Sequence, residues 1–412
     1  MVITLGIVGA GSFSKQFVPL FQAHPLIRDV SVTDLLPERS EWFKSRFGIR
    51  SYASFEDMLN SDVNAIAIFT QRHLHGPLAI QALQAGKHVY SAVPMADKIE
   101  EIQGIVQLAA HSGLIYMLGE TAYYYPAALF CREEQRKGSF GDFVYAEAQY
   151  YHDMEHGFYE AFQHSGGEQW KRAAGVPPMH YPTHSIGALV SATGAYVQKV
   201  SCFGYKDDRH PDEVFGHGKN DWDNPFSNET AILHMSNGGI CRANEYRRVG
   251  IKKSTSYIGT FYGTKGSYEW AYADHYFVRS EGSAMKVSNV SKLLNSAELE
   301  SHRNDPDFTD QVANGKYDYV SMSPIMNAGR LPQQFEKLEA GHRGVHKFLV
   351  DDFAKAVHTG KLPPNHAWAA ARYNIPGIVA HQSAMRDGEA LAVPDLGDAP
   401  AEWALLDPEA AV

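Results

Sequence analysis

The sequence predicts a parallel, doubly wound α/β domain followed by an α+β domain built on an open, mostly antiparallel sheet. Three observations carry this expectation. Up to about residue 125, short β-branched runs alternate with segments of helical period, the order that yields βαβ units. After Tyr125 the apolar pattern changes to period two, as in strands with one wet face. A chain of 412 residues also exceeds what one hydrophobic core usually holds. The expected organisation is 1–125, then 126–395 with a polar, aperiodic insertion or lid at 284–340, then a poorly packed Pro/Ala/Asp-rich tail at 396–412.

Each element has its own signal. "VITLGIVGA" reads as the first strand and "SFSKQFVPLFQAHP" as the helix after it; "VSVTDL" is a second strand, and "PERSEWFKSRFG" a helix with a glycine stop. "AIAIFT", "HVYSAV" and "LIYMLGE" are further strands, separated by the helices "HGPLAIQALQAG" and "KIEEIQGIVQLAAHSG". In the second half, strands are expected at 143–151, 196–205, 229–247 and 254–282, covered by helices near 182–193 and 344–357.

Composition narrows the function classes. A formal net charge of −10 argues against a nucleic-acid partner, since phosphate binding needs a basic surface. Cys131, Cys202 and Cys241 are few, odd in number and widely spaced, which suits a reducing cytoplasm and leaves no CxxC pair for a thiolate zinc site. The opening "MVITLGIVGAG" lacks a basic n-region and a cleavage site, and no apolar run reaches the ~18 residues of a membrane helix. A cytoplasmic protein, off the membrane and assembled as a homo-oligomer, is expected.

"GIVGAGSFS" places Gly9 and Gly11 in a Gly-x-Gly-x-x-Ser pattern after a strand and at the head of a helix. Glycines there permit the tight turn and let backbone N–H groups approach a pyrophosphate. Asp34 ends the second strand 20 residues after Ser14, where a carboxylate accepts from a ribose 2′-hydroxyl and repels a 2′-phosphate. The pattern points to NAD, with Arg39 close enough to Asp34 to soften the exclusion of NADP.

"GIVGAGSFS", Asp34, "TQRHLH" (70–75), "GKHV" (86–89) followed by Pro94, and "GTKGSYE" (263–269) together resemble the Gfo/Idh/MocA oxidoreductase family. The resemblance implies a Rossmann domain that holds NAD, with Ser12, Phe13, Thr70, His75, Pro94 and Glu120 joining Gly9, Gly11, Asp34 and Arg39 around the cofactor. It also implies an open sheet whose face forms a sugar site. Two departures stand out. Where the family's dehydrogenases carry Glu-Lys-Pro, this chain has Ala92, Val93 and Pro94, so the lysine that helps deprotonate the oxidised hydroxyl is missing. Where they carry an Asp four residues before a His, it has "HYPTH", with His180 and His184.

Tyr-Pro-Thr-His with Val-Pro resembles the NAD-dependent glycosidase branch, which includes the family 109 α-N-acetylgalactosaminidases and the NAD-dependent sulfoquinovosidases. The resemblance implies hydrolysis of a pyranoside by transient oxidation at C3, elimination of the aglycone, water addition and re-reduction. Ala92, where family 109 enzymes carry Glu, favours a sulfoquinovoside over an N-acetylgalactosaminide. The rival readings are a sugar dehydrogenase releasing NADH and a non-enzymatic redox sensor.

Such chemistry needs bases and acids that work near neutral pH, which His and Tyr supply. His184 is the expected base at the C3 hydroxyl: Pro182 opens a helix, and the positive helix end favours the neutral, proton-accepting ring. Tyr181 at the same entrance would act at C2 or on the leaving oxygen. Tyr124 is expected to reach the sugar with Tyr123 beside it, and His180 to line the site. Trp170 reads as a sugar platform, with Lys171 and Arg172 as a clamp for an anionic substituent; Arg242, Arg247 and Arg248 are further candidates. Pro182 interrupts the spacing of His180 and His184 and no carboxylate completes a ligand set, so no metal is expected. Asp351 and Asp352 read as one face of a helix.

Overall fold

The computed structural model describes residues 1–208, 214–250, 255–317 and 322–407. They form two compact units: the first is 1–121, 327–371 and 396 onward, the second 122–326 and 372–395.

The first unit is built on strands β1 (Ile3–Val8), β2 (Ile27–Thr33), β3 (Arg50–Ser51), β4 (Ala65–Ile68), β5 (His88–Ser91) and β6 (Tyr116–Leu118). All described pairings are parallel, in the order β3-β2-β1-β4-β5-β6. Every residue of β1 and β4 is buried, which is why both read as unbroken apolar runs. The strand order reverses beside β1, and crevices at such reversals are where dinucleotides bind. The helices Pro37–Phe47 and Ile99–Ser112 end where expected, on left-handed Gly48 (φ +67°) and Gly113 (φ +72°). The helix expected over "SFSKQFVPLFQAHP" is broken in two, a 3₁₀ turn Ser14–Gln16 and a helix Val18–Ala23, with Pro19 in the first turn of the second piece.

The return of the chain to this unit departs from the sequence reading, which gave 126–395 to one domain. The helix Val345–Thr359 packs on β1 and on Val18–Ala23. It carries a buried ionic network: Asp351 lies 3.2 Å from His24 Nε2, 3.0 Å from Arg330 Nη1 and 3.0 Å from Lys355 Nζ, while Arg330 also donates to Asp352 at 2.8 Å. Both carboxylates are fully buried, so they are far more than one polar face of a helix. The tail is packed as well: Leu362 N–H donates to Ala404 O at 2.9 Å, Leu406 N–H to Leu362 O at 2.7 Å, and Trp403 meets Trp368 edge-on. Residues 408–412 lie outside the described residues.

The second unit carries a mixed sheet of nine strands among the described residues: β7 (Phe143–Tyr151), β8 (Val197–Lys206), β9 (Phe226–Met235), β10 (Ile240–Tyr246), β11 (Thr255–Gly263), β12 (Gly266–Ala271), β13 (Asp274–Glu281), β14 (Ala284–Asn289) and β15 (Leu391–Ala392). The order is β14-β13-β12-β11-β7-β10-β9-β8-β15, and only β7 and β10 pair in parallel. Position 254 of the expected strand 254–282 lies outside the described residues. The supposed insertion begins as β14, paired with β13, and continues in short helices at Ser291–Leu294, Ala297–Ser301 and Phe308–Ala313; residues 318–321 lie outside the described residues. The expected helix at 182–193 is Thr183–Thr193, buried along its length against β7, β10 and β11. Helices Pro126–Arg136 and Ala367–Ala384 were not anticipated.

Removing one member of a buried ionic network strands the others in low dielectric. Arg330→Met should therefore destabilise the protein by about 3–5 kcal/mol, read as a lowered urea midpoint. A change under ~0.5 kcal/mol would show that Lys355 and His24 alone satisfy the carboxylates.

Candidate active site

In the first unit the glycine turn has the geometry a dinucleotide needs. Gly9 has φ +98°, and a Cβ there would lie 2.7 Å from the Phe69 carbonyl oxygen, so only glycine fits. A Cβ at Gly11 would meet nothing within 4 Å, which leaves that face of the turn open to a phosphate. Asp34 binds the turn itself: Oδ2 accepts from Ala10 N–H at 2.7 Å and Oδ1 from Leu36 N–H at 2.9 Å. Each oxygen keeps a second lone pair for a ribose hydroxyl. Ser12 is exposed and Phe13 half-buried beside the turn, while Arg39 is half-buried on the helix Pro37–Phe47.

On the other side of β1, His75 ties two loops together. Its Nδ1 is 2.7 Å from Pro94 O and its Nε2 3.1 Å from Thr70 O. Burial pushes its pKa down to about 4, so the neutral ring donates to one carbonyl at a time. Val93 is half-buried and joined to Pro94 by a cis peptide. Glu120 is fully buried, and its carbonyl accepts from Asn365 Nδ2 at 3.2 Å.

Asp97 drew no attention in the sequence. It is buried with neither carboxylate oxygen hydrogen-bonded, and burial, then Glu101, push its pKa up to about 6. Its neighbours pack tightly on the loop of His75: a Cβ at Gly76 would lie 2.3 Å from Glu101 Oε2.

The second unit gathers proton-transfer groups at the entrance of the helix Thr183–Thr193. Pro182 is its N-cap rather than a helical residue, which puts His184 in the first turn as expected. The His184 ring centroid lies 4.8 Å from Tyr150 and 5.2 Å from Tyr181, and the two tyrosines are 5.6 Å apart. Tyr150 OH is 2.8 Å from His152 Nδ1, and the Arg247 guanidinium lies 5.3 Å from the Tyr150 ring. Tyr150 and His152 were missed by sequence reading, although the alternation of "FVYAEAQYY" already sets Tyr150 on the same face as Ala146 and Ala148.

Two buried carboxyls hold that entrance in place. Glu229 and Glu245 are directly opposed on β9 and β10. Glu229 accepts from Met179 N–H at 2.7 Å and pairs with His381 Nδ1 at 2.7 Å. Glu245 accepts from Ser185 Oγ at 2.6 Å and from Arg247 Nη2 at 3.2 Å.

Other expected site residues are placed differently. His180 does not line an open face: its ring is buried edge-on to His381, and burial, then His381, push its pKa well below the histidine range. Trp170 packs edge-on against Tyr159 beside the Met154–Phe158 cluster, so it fills a core margin instead of offering a flat platform. Lys171 and Arg172 are exposed, and Arg172 Nε donates to Asp221 at 2.6 Å, which occupies the supposed clamp with a carboxylate. Arg248 is likewise held by Asp207 and the Tyr159 hydroxyl, and Arg242 by Glu147. Tyr123 is covered by Arg132 at 3.8 Å, and Tyr124 is buried edge-on to Tyr123. Among the described residues no group of three or more His, Cys, Asp and Glu side chains is arranged to hold a metal ion.

Comparison with known proteins bears on the first unit and on the fold. Residues 3–120 match the Gfo/Idh/MocA model, described as an oxidoreductase family with an NAD-binding Rossmann fold. The chain is 30% identical over 198 residues to a glycosyl hydrolase family 109 protein 2 of Shewanella sp. strain ANA-3, covering 45% of this chain and 43% of that protein. It is 26% identical over 198 residues to a glycosyl hydrolase family 109 protein of Shewanella amazonensis, covering 45% and 44%. The match thus spans less than half the length of these relatives. Among solved structures, an oxidoreductase domain protein from Kribbella flavida has a TM-score of 0.70 at 16% identity, covering 96% of this chain and 100% of that one. Levoglucosan dehydrogenase in complex with NADH has a TM-score of 0.71 at 16% identity over the same shares. At such identities these two establish the fold. Among the described residues no helix is long and apolar enough to cross a membrane.

Two outcomes follow. If Asp34 accepts from a ribose hydroxyl, Asp34→Ala should weaken NAD binding by about 1–3 kcal/mol, through loss of that acceptor and of the one for the Ala10 and Leu36 N–H groups; unchanged affinity by calorimetry would remove Asp34 from the site. Asp97 binds its proton near pH 6 when folded and near 3.8 when unfolded. Its contribution is therefore full below about pH 4 and is lost as the pH rises through 6. His75 and His88, both lowered to about 4 by burial, act in the opposite sense, so the comparison must be with a variant. Asp97→Asn should exceed the wild type in stability by about 2–3 kcal/mol near pH 7.5 and match it near pH 4. A pH-independent difference in urea melts would assign the effect to packing.

Proposed function

We propose, from a chain whose residues 3–120 are a Gfo/Idh/MocA NAD-binding domain, that the protein is an NAD⁺-dependent glycoside hydrolase. The observation that carries this reading is the cluster of Tyr150, Tyr181 and His184, joined to His152 and Arg247, in a chain with Val93 in place of a lysine. Oxidation alone needs one base. Oxidation, elimination, hydration and reduction need several, and this entrance holds two tyrosines and two histidines.

Bound NAD⁺ supplies a reversible hydride acceptor, and Gly9, Gly11 and Asp34 are the residues that would hold it. His184 takes the proton of the C3 hydroxyl as that carbon becomes a ketone. The ketone acidifies the C2 proton, which Tyr181 removes as the C1–oxygen bond breaks. Tyr150, hydrogen-bonded to His152, is the neighbouring acid that can return a proton to the departing oxygen. Water then adds at C1, C2 is reprotonated, and reversal of the first step restores the alcohol, so no net NADH forms. Arg247 favours negative charge developing beside it, such as a tyrosinate or enolate oxygen.

Within the pyranosides, the two substrates to try are a sulfoquinovoside, which Ala92 favours, and an N-acetylgalactosaminide, which the pairing of Arg172 favours. A sulfonate would have to displace Asp221 from Arg172, or be met by another cation, whereas an amide needs no such exchange. The family 109 names of the relatives support the glycosidase class without choosing between the two.

The deciding measurement sets chromogenic glycosides of both kinds against the protein with and without NAD⁺. Aglycone release without net NADH, with deuterium at C2 of the sugar released in D₂O, is expected; His184→Ala should lower both by about 10²–10⁴-fold. NADH accumulating stoichiometrically on a free sugar, with no aglycone released from any glycoside, would make the protein a dehydrogenase.

A further inference from the structure

The segment Gly341–His346 and the first helical turns after β1 meet in a way the described chemistry does not explain. His342 (φ +53°) and Arg343 (φ +56°) are consecutive left-handed residues, followed by Gly344 at φ +85°. L-residues rarely adopt that conformation, and strain of this kind persists only where the surroundings enforce it. The surroundings here are the glycine turn's own neighbours. A Cβ on Gly341 would lie 2.1 Å from Gln16 Oε1 and 2.7 Å from His346 Cε1, so the strap is pressed onto the 3₁₀ turn Ser14–Gln16.

His346 is fully buried in an aromatic cage. Its ring is stacked on Phe17 at 4.2 Å, stands edge-on to Phe13 at 5.4 Å, and lies 4.7 Å from the ring of half-buried His342. Neither of its nitrogens has a hydrogen-bond partner. Burial, with His342 beside it, holds its pKa well below the ordinary histidine value, so it is a neutral ring with one N–H to give. A buried donor left unsatisfied is costly, and phenylalanine or leucine would avoid that cost.

Position identifies what the pair faces. Asp34 follows β2, on one side of β1, and marks where the adenosine ribose binds. Phe69 follows β4, on the opposite side of β1. Phe13 and Phe17 both pack on Phe69, at 5.9 and 4.8 Å, so the strap flanks the other half of a bound dinucleotide. We infer that His342 and His346 form a recognition pair for the nicotinamide-riboside half of NAD: His342 meets its polar groups, and His346, from behind, donates to the His342 ring once it is so oriented. The left-handed pair His342–Arg343 holds the rim residue in that posture. This inference rests on the NAD-binding domain and not on the glycosidase reading.

Calorimetry on the full chain, freed of nucleotide, separates the two halves of the cofactor. His346→Phe should bind ADP like the wild type, NAD⁺ and NADH about tenfold more weakly, as loss of one hydrogen bond implies, and melt no lower without ligand. NAD⁺ affinity within about twofold of wild type, or ADP weakened by the same factor as NAD⁺, would overturn the inference. Should His346→Phe fail to fold, His342→Ala at the half-buried rim reads the same ratio, with the same outcomes deciding.

Discussion

Two carboxyl groups buried opposite each other set the terms for the second unit. Glu229 and Glu245 are register partners on adjacent strands and both are fully buried. Facing carboxyls are unfavourable on an exposed sheet and costlier in a core, so each needs donors. Two donors come from the segment around the helix entrance, the Met179 amide for Glu229 and the Ser185 hydroxyl for Glu245, and two from elsewhere in the unit, His381 for Glu229 and Arg247 for Glu245. Tyr181 and His184 lie between Met179 and Ser185, so satisfying the carboxyls fixes the backbone on both flanks of these two residues. His180 faces inward beside them, its ring packed edge-on against His381.

The first unit applies a similar logic across a longer loop. Asp351 and Asp352 are buried on a helix contributed late in the chain, and their partners are Arg330, Lys355 and His24. Because an unpaired buried charge is expensive, the network admits few alternative placements of the returning segment. That segment also carries the strap of His342 and His346, so an ionic network with no role in chemistry holds two histidines beside the glycine turn.

What could be read from the sequence was what chemistry makes local. The turn at Gly9 and Gly11, Asp34 and the parallel strands depend on neighbours within one βαβ unit, and each carried its own signal. Asp351 did not, because its partner His24 is 327 positions away and both residues look like surface polars in isolation. Tyr150 was hidden in an alternation that marks it only as an inward residue. The helix Ala367–Ala384 was missed because it contains Pro376 and buries residues all round, which erases both the helical signature and the amphipathic stripe. For Trp170 and Arg172 the sequence hides the neighbours: an aromatic beside cations resembles a sugar clamp, while Tyr159 packs on Trp170 and Asp221 pairs with Arg172 from positions that no local pattern links to them.

Val93 bears on the proposed chemistry through what replaces the lysine. A lysine ammonium can polarise a hydroxyl and, once neutral, accept its proton, because its pKa shifts readily when buried; Val93 can do neither. A sequence that oxidises and then re-reduces the same carbon needs groups whose proton affinity is nearly balanced at each stage. Imidazole is the side-chain type suited to that need, and phenols can act as acid in one step and base in the next. Tyr150 and Tyr181 stand against His184, His152 is hydrogen-bonded to Tyr150, and Arg247 is bonded to Glu245, so the groups proposed to exchange protons are ones of intermediate basicity. On this account Val93 does not count against the proposed function: the proton transfer that a lysine would share can pass to the imidazole and phenols at the head of the helix Thr183–Thr193.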